Sequence, residues 1–127
     1  MVFGSIAAGN HAEVNGMFFQ VSSVGGRQVI TAGGDVAGDV ATELADMIQN
    51  QFEAGHAVVI IDFSKATIID SMGISAIVAN IGLMKEKDGH LVLAGCTPTV
   101  KKVLQLVGFE QHFPIVSSVE EAVKLPF

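Results

Sequence analysis

The sequence predicts an α/β fold: a mixed, mostly parallel sheet of four to five strands with about four helices. An apolar run rich in Val and Ile at 58–63, and a second apolar run at 91–94, are typical of strands that are covered on both faces. Between these runs, apolar residues recur at spacings of three and four, which indicates helices with one apolar face. Because strands that alternate with helices pair in parallel through right-handed crossovers, most of the sheet should be parallel.

Two further strands, at 17–21 and 28–31, are expected to open the sheet as an antiparallel hairpin. The glycine pair at 25–26 lies between them, and glycine readily adopts the positive φ that tight hairpin turns require. A second glycine pair, at 33–34, is expected to end the second strand. The hairpin makes the predicted sheet mixed rather than purely parallel.

The expected helices each carry a start signal. The first is expected to begin at Asp39, a candidate N-cap. The second is expected to begin at the Asp70–Ser71 pair, to carry one apolar stripe over 74–84 and to end at Gly89. Thr97 followed by proline begins the third helix, and Ser118 with Glu121 forms a capping box for a short fourth helix.

Length and charge limit the class of protein. The 127 residues predict one domain at 17–127, preceded by residues 1–16, which are expected to form an arm or an edge strand. Seven Lys and Arg against 13 Asp and Glu give a net charge of −6, so the basic stripe of a nucleic-acid binder is missing. No apolar run approaches the ~20 residues of a membrane-spanning helix, and the start of the sequence shows no signal-peptide pattern. With one cysteine, the sequence indicates a cytoplasmic protein that neither binds nucleic acid nor inserts into a membrane.

The segment 68–74 is the strongest candidate for a functional site. In open α/β sheets, functional groups collect beyond the carboxyl ends of the strands, and here two β-branched residues lead into a polar pair before an apolar helix. Asp70 or Ser71 is expected to cap that helix by accepting a hydrogen bond from a free amide of its first turn. Gly73 lies in the first turn, either as an ordinary glycine that lets the helix pack closely or as part of a binding surface.

Signals for catalysis and for metal binding are weak. A nucleophile elbow around Ser71 fails because Ile69 stands where its first glycine is required, and neither a phosphate-binding loop nor a dinucleotide fingerprint occurs. The four histidines are scattered, so we expect no metal site and no cofactor. Cys96 precedes a predicted helix, where a thiol can have a lowered pKa, or it is simply a small buried side chain.

Together, 58–63 and 68–74 resemble the core of STAS domains, the anti-sigma factor antagonist family. In that family, a buried strand is followed after a few residues by an apolar-apolar-Asp-Ser-(Ser/Thr)-Gly turn that opens a helix. The resemblance continues through 93–96 and 103–109 and into the last predicted helix. It implies a STAS-like fold for the whole predicted domain.

The resemblance also implies a small module that works by binding other proteins rather than as an enzyme. Such domains dock on anti-sigma factor kinases and thereby release a sigma factor. In many of them the kinase phosphorylates the hydroxyl residue just before the glycine, and a phosphate adds about −1.5 to −2 charge to the docking surface. Here Met72 stands before Gly73 and has no hydroxyl, so Ser71 is the remaining candidate for phosphorylation.

The docking surface implied by the resemblance includes neighbouring loops. The family often carries an acidic residue where this chain has Ala37, and Asp35 or Asp39 is expected to substitute for it. The expected surface comprises Asp35, Ser64, Asp70, Ser71, Met72, Gly73 and Ser75.

The leading interpretation is therefore an anti-sigma factor antagonist whose partner is an anti-sigma factor or a switch kinase protein. One alternative is a scaffold-type or transporter-associated STAS module, because Met72 breaks the phosphorylation pattern. Another is a small thiol- or serine-dependent enzyme that uses Cys96 or Ser71, although the sequence places no evident base near either. The sequence leaves the oligomeric state open.

Overall fold

The structure, a computed structural model, describes residues 11–14 and 17–127, which contain seven strands and five α-helices. The strands are β1 (His11–Val14), β2 (Met17–Val24), β3 (Arg27–Val36), β4 (Val58–Asp62), β5 (Ala66–Ile69), β6 (His90–Ala94) and β7 (Ile115–Val116). The α-helices are α1 (Thr42–Glu53), α2 (Ser71–Val78), α3 (Ile81–Glu86), α4 (Pro98–Leu106) and α5 (Val119–Val123). Short 3-10 helices occupy Gly38–Ala41 and Phe109–Gln111.

The strands form one mixed sheet in the order β1-β2-β3-β4-β6-β7, and β5 pairs with β3 outside this path. The β1–β2 and β2–β3 pairs are antiparallel, whereas β3–β4, β3–β5, β4–β6 and β6–β7 are parallel. The predicted α/β class with a mixed, mostly parallel sheet is therefore confirmed. The strand count exceeds the expected four to five because β1 and β5, with four residues each, are too short to show a clear period in the sequence.

The two antiparallel pairs build one edge of the sheet. β1 pairs with β2 along its whole length, and β2 and β3 form the predicted hairpin. Gly25 and Gly26 occupy the turn of that hairpin with φ values of +59° and +80°, which favour glycine. Residues 1–10 and 15–16, which belong to the segment expected to form an arm or an edge strand, lie outside the described residues.

The glycine pair at 33–34 does not end β3, contrary to the sequence-based expectation. β3 continues to Val36, and its parallel partner changes from β4 to β5 with a register shift between Gly34 and Asp35. Gly34 has a φ of +76° at this shift, and a side chain at Gly33 would collide with the ring of Phe18. The glycines therefore bend β3 and let it pass a neighbouring ring, which carries the strand on towards the start of α2.

The central parallel strands are buried on both faces, as their apolar runs predict. Ile61 and Leu93 belong to the main core, which packs beneath α1, α2 and α4. Ile60 and Val92 point the other way into a smaller core that α5 covers with Ala122. Residues next to each other on one strand thus face opposite cores, which explains why no polar alternation appears in these runs.

The helix expected over 74–84 is two helices, α2 and α3, because Asn80 interrupts the hydrogen-bond ladder. The Asn80 side-chain amide donates to the Ala76 carbonyl at 3.2 Å, in the place of the backbone amide, which turns to Ile77 instead. The same side-chain amide also donates to the Ala45 carbonyl of α1 at 3.1 Å. Asn80 is buried, so these two bonds satisfy its amide while they join α2 to α1.

The expected N-cap at Asp39 is wrong. Asp39 lies inside a 3-10 turn, and α1 begins after Ala41 without a side-chain cap. The carbonyl of Asp39, rather than its carboxylate, takes part in the turn by accepting a hydrogen bond from the Thr42 hydroxyl at 2.7 Å. The Asp39 carboxylate is therefore not used to start the helix.

The α-helices are short. α1 has 12 residues and α2 has eight. Among the helices in residues 11–14 and 17–127, none combines the length and the apolar character needed to cross a lipid bilayer.

Candidate functional site

The amino end of α2 projects at the carboxyl end of β5, and Asp70 holds it there. Asp70 has the extended backbone of an N-cap residue. Its Oδ1 atom accepts hydrogen bonds from the Met72 amide at 2.9 Å and from the Gly73 amide at 3.0 Å. The expected cap is thus confirmed, and it is Asp70 rather than Ser71 that provides it.

Asp70 also binds a loop from a distant part of the chain. Its Oδ2 atom accepts a hydrogen bond from the Gly38 amide at 3.0 Å, although Gly38 is 32 residues away in sequence. The Asp70 amide in turn donates to the Val36 carbonyl at 3.2 Å. The amides of Gly73, Gly38 and Met72, with that of Gly73 contributing most, hold the pKa of the Asp70 carboxyl below its usual value.

Gly73 brings α2 against the end of β3. A Cβ atom at Gly73 would lie 2.5 Å from the Val36 carbonyl oxygen and 2.6 Å from Cγ1 of Ile69. Both distances are far below van der Waals contact, and the carbonyl belongs to the main chain, which cannot easily move aside. The structure therefore assigns Gly73 to the buried side of the tip, where it permits close packing.

The outer face of α2 is exposed and carries no charge. Ser71 and Ser75 are exposed, and Met72 and Val78 are 38% and 43% exposed. No Asp, Glu, Lys or Arg occurs from Ser71 to Met84, although the chain has 20 such residues. Among the described residues, the Ser71 hydroxyl has no protein partner. We call the exposed amino end of this helix, formed by Ser71, Met72 and Ser75, the α2 tip.

The other predicted surface residues lie on the loops around the α2 tip. Asp35 is exposed and stands opposite Ile68 in the β3–β5 pair, so the structure brings it beside the strand that leads to Asp70. Ser64 is exposed in the turn before β5, where its amide donates to Asp62 at 2.9 Å. Sequence reasoning missed Gly38 and the 40% exposed Ile68. The sequence carried no clear signal for Gly38, because the strand predicted at 28–31 continues to Val36 only in the structure.

Cys96 lies at the other side of the carboxyl edge of the sheet, in a small cavity between β6, β7 and α4. The cavity has a volume of about 150 Å³ and includes Lys101 and Ser117 in its lining. Burial raises the pKa of the Cys96 thiol to about 11, so the thiol stays protonated at neutral pH. This environment favours the interpretation of Cys96 as a small packed side chain over that of an activated thiol.

Metal-binding side chains are not gathered in the described part of the chain. In residues 11–14 and 17–127, no group of three or more His, Cys, Asp or Glu residues is placed to hold a metal ion. His56, His90 and His112 are exposed and lie on separate elements.

Alanine at position 73 should destabilise the fold by about 1–3 kcal/mol, because the added methyl group overpacks against the Val36 carbonyl. Gly82→Ala is the matched control, since a Cβ there meets nothing within 4 Å. Because alanine favours a helix over glycine, Gly82→Ala should be neutral or stabilising by up to about 1 kcal/mol. Urea denaturation of both variants measures the difference, and equal stability of the two would contradict the close approach of α2 to β3.

Asp70→Asn keeps a side-chain oxygen for the cap but removes the charge. The folded protein lowers the pKa of Asp70 below its unfolded value of about 3.9. The carboxylate therefore stabilises the fold above that value, and this contribution is lost as the pH falls through the folded pKa. We expect Asp70→Asn to be less stable than the wild type at about pH 7, with a difference that shrinks as the pH falls below the unfolded pKa and through the lower folded pKa. Chemical denaturation at several pH values tests this, with the exposed Asp39→Asn as a control for loss of one surface charge; a difference independent of pH would contradict it.

Comparison with known proteins places this geometry in a family. Residues 19–122 match the family model of the STAS domain. The protein BtrV of Bordetella bronchiseptica, named as an anti-sigma factor antagonist, is 28% identical over 82 residues, which are 65% of this chain and 71% of BtrV. An anti-sigma factor antagonist from Mycobacterium paratuberculosis superposes with a TM-score of 0.77 at 18% identity, over 88% of this chain and 95% of that chain.

The structure of a third similar protein, SpoIIAA, is known in an unphosphorylated and a phosphorylated form. The unphosphorylated form of the anti-sigma factor antagonist SpoIIAA superposes with a TM-score of 0.71 at 23% identity, over 83% of this chain and 92% of that chain. The phosphorylated form of SpoIIAA, described as a Bacillus cell fate determinant, has a TM-score of 0.65. These structures share the fold, and the family model covers the sheet from Phe19 onward, the Asp70 cap and the helices up to Ala122. The chain belongs to the STAS domain family.

Proposed function

We propose that this chain is a protein-binding regulator of the anti-sigma factor antagonist type, which docks the α2 tip on an anti-sigma factor and so releases a sigma factor. The observation that carries the proposal is the Asp70 cap, which turns Ser71 and Met72 outward at the end of the sheet. The antagonist names of BtrV and SpoIIAA support the same role.

The α2 tip has the character of a surface that another protein covers. Met72 in the tip, Ile68 on the preceding strand and Val78 at the other end of α2 are each 38–43% exposed, and burying such apolar side chains favours association. Methionine is flexible and polarisable, so it adapts its shape to a partner. Because the cap and Gly73 hold the backbone of the tip in place, docking costs little conformational entropy.

Charge suggests the character of the partner. The net charge is −6, and Asp35 and Asp39 are exposed on the loops beside the uncharged α2 tip. A partner with an apolar centre and basic side chains around it would match this surface. An anti-sigma factor of the histidine-kinase-like ATPase class, or a related switch kinase, is the partner we propose, and the encounter would take place in the cytoplasm.

A scaffold-type or transporter-associated STAS module is the second candidate, and Met72 is the observation that favours it. A methionine at the position before Gly73 cannot be phosphorylated, so phosphorylation at this residue could not switch off docking through the α2 tip. The two candidates share the docking surface. They differ in the partner and in whether phosphorylation controls docking.

Met72→Glu should weaken docking about tenfold or more, because it buries a charge in an interface that is otherwise uncharged here. Isothermal titration calorimetry with each purified histidine-kinase-like anti-sigma factor of the source cell measures the affinity. Leu106→Glu is the matched control: it replaces another exposed apolar residue, 78% exposed, with glutamate at the end of α4, the opposite end from the carboxyl edge where α4 begins. We expect Leu106→Glu to bind like the wild type.

Two results would argue against the docking proposal. The first is an equal loss of affinity in both variants, which would indicate a general effect of charge. The second is the absence of binding to every anti-sigma factor tested, in which case recovery of a transporter or scaffold subunit with the wild-type chain, and its loss with Met72→Glu, would favour the second candidate.

Phosphorylation, if it controls docking, should fall on Ser71. Its hydroxyl is exposed and has no protein partner among the described residues, because Asp70 provides the cap. Incubation of the wild type with the docking kinase and ATP, followed by peptide mass spectrometry, should leave position 72 unmodified. Met72→Ser restores a hydroxyl before Gly73 and is expected to gain a phosphate there; Ser71→Ala identifies any phosphate at 71. A wild-type chain that stays unmodified while Met72→Ser is phosphorylated would show that Met72 removes the switch and would exclude Ser71 as the acceptor.

A further inference from the structure

We propose that Met72 is a reversible oxidation site, at which conversion of its thioether to a sulfoxide by a peroxide weakens docking of the α2 tip. This inference rests on the proposed function, because the interaction that it regulates is the docking of this tip on an anti-sigma factor.

The exposure of the methionines makes Met72 the preferred target. Met72 is 38% exposed, whereas Met47 is 4% exposed and Met84 is half-buried against the main core. A peroxide has to reach the sulfur atom, so it should attack Met72 first among these three side chains. The side chains of Met1 and Met17 lie outside the described residues.

The surroundings of Met72 make oxidation consequential for binding. The other large apolar side chains exposed on α2 and on β5 are Val78 and Ile68, and no charged residue occurs from Ser71 to Met84. A partner that fits this face must be apolar where it meets Met72. A sulfoxide is polar and carries a strong hydrogen-bond acceptor, which would lose water without gaining a partner in such an interface.

The position of Met72 also implies that its oxidation affects binding and not folding. The Met72 amide donates a hydrogen bond to Asp70 Oδ1, and Met72 contributes only its main chain to this bond. The side chain points outward and does not belong to either core. Oxidation at the sulfur therefore leaves the cap and the core packing in place, and its effect should appear in affinity rather than in stability.

Hydrogen peroxide supplies the oxygen atom and accepts the electrons in this step. A lone pair of the Met72 sulfur attacks one oxygen of hydrogen peroxide, the O–O bond breaks, and the second oxygen leaves as water after proton transfer. The sulfur is oxidised to the sulfoxide and the peroxide is reduced. A methionine sulfoxide reductase reverses the step with two thiols, which become a disulfide while the oxygen leaves as water.

The test compares three forms of the full chain before and after hydrogen peroxide: wild type, Met72→Leu and Met84→Leu. After the peroxide is removed, peptide mass spectrometry locates the sulfoxides and calorimetry measures binding to the anti-sigma factor that the untreated wild type binds. Wild type and Met84→Leu should gain oxygen at position 72 before any other described methionine side chain, and they should lose affinity about tenfold, the size expected for one unpaired polar group in an interface. Met72→Leu has a similar shape and cannot be oxidised there, so its own affinity should not change on treatment.

Reversal of the oxidation distinguishes an effect at Met72 from an effect at the Cys96 thiol. Dithiothreitol reduces oxidised Cys96 but not methionine sulfoxide, so methionine sulfoxide reductase, and not dithiothreitol alone, should restore binding. An equal loss of affinity in treated Met72→Leu would overturn the inference, and so would a wild type that is oxidised at Met72 yet binds as before. If the untreated wild type binds no anti-sigma factor, the proposed function fails instead, and that outcome is distinct because it precedes the oxidation.

Discussion

The Asp70 carboxylate accepts hydrogen bonds from three main-chain amides, and the arrangement of the α2 tip depends on this one group. Two of the amides begin α2, at Met72 and Gly73, and the third belongs to Gly38 on the loop that follows β3. The first-turn amides of a helix need an acceptor, and an ionised carboxylate is a strong one. Because Asp70 provides it, the neighbouring Ser71 hydroxyl is not consumed by the cap and stays exposed.

β3 supplies the support on which this cap rests. The strand passes beyond its pairing with β4, pairs with β5, and presents the Val36 carbonyl to the Asp70 amide. Gly73 packs so closely on that carbonyl that no side chain fits between them. The tip is therefore held against the end of β3 at two main-chain groups, the Asp70 amide and Gly73, so its shape is set before any partner arrives, which is an advantage for a binding module.

The candidate site was predictable to the extent that its signals are local. A polar pair between β-branched residues and an apolar helix indicated a capped helix at 70–73, and the missing hydroxyl at Met72 is visible in the sequence itself. The choice of Asp70 over Ser71 was not visible, since both residue types cap helices well. It depends on the Gly38 amide, which comes from 32 residues away and gives the second carboxylate oxygen a partner.

The sequence by itself determined the α/β class, the doubly buried central strands and the position of the capped turn, because these follow from hydrophobic periodicity and capping preferences over a few residues. Only the tertiary structure decided that the glycine pair at 33–34 continues a strand and that Asn80 divides a helix. At 33–34, packing of the Phe18 ring and pairing with β5 compensate for the glycines. At Asn80, the Ala45 carbonyl of α1 accepts a hydrogen bond from the side chain. Both outcomes depend on contacts between residues that are distant in sequence, which local propensity does not register.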